Sequence, residues 1–185
     1  MILCPQPIYK EDTLMSVLHS VVRLIDAFTN HLGRTLAWLC LGMALLTTFV
    51  VVLRYGVNIG SIMAQEAVTY MHGCVFMLGA AYALKTGAHV RVDIFYRRFS
   101  QRTRAWVNAL GGIVFLLPLC IFIAGISWNY VYESWLIRES SPEPGGIPAV
   151  FLLKSLLPAM AINLMLQGIA ETLRNMLVLI EGDSC

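Results

Sequence analysis

The chain has 185 residues, a length that suits one domain. Charged residues make up 13% and apolar types 58%, roughly half the usual charged share of a soluble protein. So few charges cannot cover so much apolar surface in water, which excludes a soluble globular protein and makes the bilayer the solvent. The formal net charge of +2 carries little information, because the bases are clustered and their position matters more than their sum.

Residues 1–12 are short and polar, with Pro5 and Pro7, and read as a flexible tail. Asp12 or Thr13 can cap the next helix. Over 13–32, Leu14, Val17, Leu18, Val21, Ile25, Phe28 and Leu32 recur every three or four positions. Ser16, His19, Ser20, Arg23, Asp26 and Asn30 take the other face. This predicts an amphipathic helix in the membrane interface, or one packed on other subunits.

A four-helix membrane domain over 33–180 comes next, with Arg34 at the water boundary and 181–185 as a tail. The first span covers about 35–53 and closes at Arg54-Tyr55, before the nearly uncharged turn Gly56 to Ser61. The second, 62–84, opens near Glu66 and ends at Lys85. The third, 106–136, would run roughly 45 Å against an apolar core of roughly 30 Å. It must therefore tilt, kink at Pro118 or project from the membrane. Its closing WNYVYESW is aromatic and suits the headgroup region. RESSPEPGGIP follows and cannot be helical throughout. The fourth span covers 149–170, with a helical extension beyond. The fold class is an all-α membrane protein, four transmembrane helices plus an N-terminal amphipathic interfacial helix.

Between the second and third spans stand Lys85, Arg91, Arg97, Arg98, Arg102 and Arg104 against the single acid Asp93. Short connections this basic stay in the cytoplasm, so both termini are expected there and the other two turns face outward. From His89 to Phe99, apolar and charged residues mix as in a segment lying on anionic lipid; a solvated loop is the alternative. No nucleic-acid motif is present.

Glu66, Glu133 and Lys154 lie nearest the outer ends of spans two, three and four. An ionisable group in hydrocarbon is costly, so Lys154 is expected to pair with Glu66 or Glu133, unless it snorkels to the headgroups. His72 is the one mid-span histidine. His19, His31 and His89 lie elsewhere, so haem ligation lacks its second ligand, and an interior, hydrogen-bonded His72 is expected. Asn163 and Gln167 look like interhelical donors, and Gly73 and Gly79-Ala80-Ala81 like surfaces for close helix approach. Cys4, Cys40, Cys74, Cys120 and Cys185 form no metal spacing and read mostly as buried small apolar groups. No nucleophile, base and orienting group assemble, so neither enzyme activity nor a cofactor or metal is expected.

Taken together these residues resemble the small membrane subunit of tripartite ATP-independent periplasmic (TRAP) transporters, the DctQ-like proteins, over about 32–177. The marks are Leu53-Arg54-Tyr55, Glu66, Leu78-Gly79-Ala80-Ala81, the run Gly87-x-His89-Val90-Arg91-Val92-Asp93, and Ser140 or Ser141 before Gly146-Ile147-Pro148. The usual tryptophan and first acid ahead of Glu66 are absent; Met63 and Gln65 stand there. The resemblance implies a non-catalytic scaffold in the bacterial inner membrane. Its partners would be a large membrane subunit that moves organic acids with ions, usually Na+, and a periplasmic substrate-binding protein. Arg54, Glu66, His89, Arg91, Asp93, Glu133 and Lys154 are the structural or interface candidates, and the resemblance implies that the outward turns are a docking surface, with Asn58, Arg138, Glu139 and Glu143 as candidates. A membrane anchor or cytochrome-type subunit of a respiratory enzyme is the alternative, and it would need paired histidines.

Overall fold

The computed structural model describes residues 10–88 and 99–181. These form four long helices, α1 (Lys10–Gly56), α2 (Ile62–Lys85), α3 (Gln101–Leu136) and α4 (Val150–Glu181), with no strand among the described residues. Each is long and apolar enough to cross a membrane. The protein is an all-α membrane bundle, as its composition requires.

The amphipathic stretch and the first span are one uninterrupted α1, about 70 Å long. Nothing at Arg34 breaks it. Gly33 instead brings two helices together, since an added Cβ would run into the Tyr82 ring on α2. The packed face of the early part carries the buried Val22, Thr29 and Leu36, while Val17, Val21, Leu24 and Phe28 are exposed. The stripe read from the sequence is thus split between the two sides. Thr29 can turn inward because Gln167 on α4 meets its hydroxyl.

Ser61 caps α2, its hydroxyl accepting from the Ala64 N–H at 3.3 Å. The helix ends at Lys85, and Gly87 then takes a positive φ of 67° that glycine tolerates without strain. In α3, for which a kink at Pro118 is one of three alternatives, a π-helical segment over Gly112–Leu116 lies just before that proline. Proline has no N–H for the preceding turn and its ring crowds that turn's carbonyl. A widened turn, with the Leu117 N–H reaching Gly112 O, accommodates it. The extra residue presses Gly112 on α4, where a Cβ would meet Thr172 Oγ1 at 2.5 Å.

α4 is the central element and packs on all the others. It buries Ala161, Asn163, Gln167, Ala170, Thr172 and Leu177. Most large apolar side chains of α1 and α3 point outward, as they should where lipid is the solvent.

Candidate functional site

Polar side chains tie the helices together in two layers. One, called the outer layer because the sequence reading expects that side to face outward, is built on the turn between α3 and α4. α3 ends when the Glu139 N–H bonds Ser134 O and the Arg138 N–H bonds Trp135 O, a Schellman closure with Arg138 at the left-handed position, φ 47°. A non-glycine residue there carries backbone strain. The guanidinium lies 5.7 Å from the Trp135 ring and 5.6 Å from the Phe151 ring, contacts glycine could not make. The turn then folds back on itself through Ser141 N–H to Ile147 O and Val150 N–H to Glu139 O.

Glu66 reaches this turn from α2. Its carboxylate accepts hydrogen bonds from the Ser141 hydroxyl and, at 2.6 Å, from the Ile147 N–H. Gly146 makes room, because a Cβ there would lie 2.7 Å from Glu66 Oε1 and closer still to Ser141. Lys154 pairs with Glu139 at 2.5 Å, and the same carboxylate oxygen accepts from the Ser134 hydroxyl at 2.6 Å. The ammonium also sits 4.1 Å from the Tyr130 ring centroid. Its hydrogen bond, then that of Ser134, holds the Glu139 carboxyl below its usual range.

The expected pairing of Lys154 with Glu66 or Glu133 is therefore corrected. The Schellman closure brings Glu139 to Lys154, whereas Glu66 is occupied by the turn and Glu133 is exposed on the last turns of α3. Glu139, placed on the docking surface, is turned inward by that pair; Asn58, Arg138 and Glu143 are exposed. Arg54 and Asn58 line a shallow opening with Tyr55 and Gln65, Asn58 in the left-handed conformation that asparagine tolerates. His89, Arg91 and Asp93, with Arg97 and Arg98, lie outside the described residues.

The inner layer, about 30 Å away along α2 and α4, is centred on Asp26, which the sequence placed on the polar face of the amphipathic stretch. Its carboxylate accepts from Arg174 at 2.7 Å and Gln167 Nε2 at 3.2 Å, and Lys85 lies 3.7 Å from it. Lys85 also donates to Asp26 O at 2.8 Å, and Arg174 holds Glu171 at 2.5 Å. Gln167 Oε1 completes the set by accepting from Thr29 Oγ1 at 2.7 Å. A lone acid on a helical stripe, with complementary bases on two other helices, was the available signal. Which helix faces which was missing. Asn163 and Gln167 act as donors across helices, as expected, Asn163 to Leu78 O at 3.0 Å. Gly73 admits Leu153, whose Cδ1 would stand 3.1 Å from an added Cβ.

Two interior assignments are corrected. His72 is exposed on the outer side of α2, stacked on Phe76, because the inward face of that helix is taken by Gly73 and Ala81. Cys40 is exposed on α1, Cys74 half-buried and Cys120 buried. Among the described residues no three His, Cys, Asp or Glu side chains gather as a metal site would require.

Fold and polar layers together define a small multi-span membrane protein cross-tied at both faces. The chain belongs to the DctQ family: residues 43–177 match the model for tripartite ATP-independent periplasmic transporters, DctQ component. It is similar to the C4-dicarboxylate TRAP transporter small permease protein DctQ of Vibrio cholerae serotype O1, 26% identical over 126 residues, 65% of this chain and 54% of that protein. The chain thus spans about half the length of that curated relative. No solved structure matches it. Four apolar helices and this family make it a multi-pass protein of the bacterial inner membrane.

Proposed function

We propose that the chain is the non-catalytic small permease subunit of an ion-coupled TRAP transporter for organic acids, with Na+ as the coupling ion. It acts as a fixed scaffold: it anchors a large membrane subunit and helps the periplasmic substrate-binding protein dock. Both termini lie in the cytoplasm. Asn58, Arg138 and Glu143 form the outward docking surface, and Arg54, Glu66 and Lys154 hold it in place.

One observation carries this reading. The paired carboxylates of the described bundle stand in two layers about 30 Å apart, each joining several helices, the separation of the two faces of a hydrocarbon core. Charges consumed in ties between helices suit a body that stays still while a partner moves. The Arg138 side chain, exposed on a left-handed backbone at the turn between α3 and α4, supports the docking role.

The test is uptake by cells lacking endogenous transport of the chosen organic acid. Uptake should appear only when this chain, the large subunit and the binding protein are expressed together, and should depend on Na+. Uptake without this chain, or transport by the purified chain alone in liposomes, would overturn the scaffold reading.

A further inference from the structure

α2 turns a polar edge to the outside of the bundle. Ile62, Gln65, Thr69, His72 and Phe76 follow one another at spacings of three and four, and all five are exposed. They form a single stripe. Positions flanking the stripe are committed within the bundle: Gly73 to Leu153 of α4, Leu78 O to Asn163, and Gly79 to Leu36 of α1. The Thr69 hydroxyl bonds back to Gln65 O at 3.4 Å. The His72 ring stacks on Phe76 at 6.4 Å, and among the described residues no hydrogen bond reaches its nitrogens.

His72 lies about 9 Å below Glu66 along the helix, well inside the hydrocarbon. A lysine at that depth could lift its ammonium to the headgroups; an imidazole on a single methylene cannot. Lipid tails offer neither donor nor acceptor. A polar side chain in a span faces protein or a water-filled cavity, yet none of the described helices covers this one. The 4-3-4 spacing from Gln65 to Phe76 is that of one side of a packed helix pair. At its outer end Gln65 shares an opening with Arg54 and Asn58, so the stripe runs into the outward turn.

We propose that the Gln65, Thr69, His72 and Phe76 stripe is the seam on which a transmembrane helix of the large membrane subunit packs, with a carboxylate, amide or hydroxyl set opposite His72. This rests on the reading of the chain as a transporter subunit. An apolar partner helix would leave the imidazole as exposed to hydrocarbon as lipid does, so the partner must bring a hydrogen-bonding group to that depth.

The experiment uses the full chain co-expressed with its large subunit. A photoreactive phenylalanine is placed at 72 and, as a control, at Phe122, which is exposed on α3 away from the stripe. Cross-linking to the large subunit from 72 and not from 122 is expected. His72→Leu should lower the co-purified large subunit by about threefold, the scale of one membrane hydrogen bond. The His72→Leu chain by itself should melt no lower than the parent in detergent. The seam is overturned if position 72 links only to lipid or to a second copy of this chain, or if His72→Leu destabilises the isolated chain. If the parent chain fails to co-purify with the large subunit at all, the subunit reading itself falls; intact co-purification with no link from 72 sinks the seam alone.

Discussion

At Glu139 one carboxylate oxygen accepts from an ammonium and a hydroxyl at once, Lys154 at 2.5 Å and Ser134 at 2.6 Å. Opposite charge is what holds the contact, so Glu139→Lys should lower the melting temperature in detergent by several degrees, and adding Lys154→Glu should restore most of it. A double variant as unstable as the single one would mean the ion pair is incidental. The pH dependence has a definite sign. The folded-state carboxyl titrates below its ordinary value of 4.5, so its contribution is complete above that value and is lost as pH falls through the depressed one. The melting difference between the parent and Glu139→Gln should therefore be steady from neutral pH down to about 5 and vanish in stronger acid. Arg138 is a different case. Arg138→Gly should relieve the left-handed strain and leave melting unchanged or higher, while uptake that depends on the binding protein falls; undiminished uptake would remove Arg138 from the docking surface.

At the scale of elements, the inner layer decides how α1 sits. Gln167 is fully buried and serves two partners on that helix, Thr29 and Asp26. Gln167→Leu keeps the volume but leaves a buried hydroxyl and a carboxylate oxygen short of a partner. A loss of about 2 kcal/mol in unfolding free energy is expected, with α1 loosened first. Hydrogen exchange along α1 unchanged by the substitution would show the layer to be incidental to packing. The widened turn in α3 obeys similar logic. The sequence offered Pro118 as a place for α3 to kink, but that the widened turn lies just before it, where Gly112 approaches Thr172 on α4, is visible only in the structure.

For the whole molecule, the proposed orientation rests on the basic residues between α2 and α3. Neutralising Arg97, Arg98, Arg102 and Arg104 together should scramble reporter-fusion topology, because cytoplasmic retention depends on the count of bases close to the spans. Unchanged topology would show that other features orient the chain. Four crossings put residues 10 and 181 at the same end of the bundle, so one correct assignment fixes both.

Several features were legible in the residues alone. The number of spans, the breaks between them and the proline-rich turn before the last span come from local sums of apolar and helix-breaking residues, and a bilayer reads such sums directly. So did the donor roles of Asn163 and Gln167, since amides deep in a span have few uses besides bonding across helices. What the tertiary structure alone decided was which way each helix faces. In water an amphipathic stripe announces the buried side. In a membrane, lipid and core are equally apolar, so α2 gives no such signal, and His72 could be assigned inward when its face is outward. Likewise Asp26 read only as part of a polar face, and Lys154 as a partner of Glu66 or Glu133. Ion pairs between helices depend on rotation and on the path of a turn, and neither is a property of any one stretch of sequence.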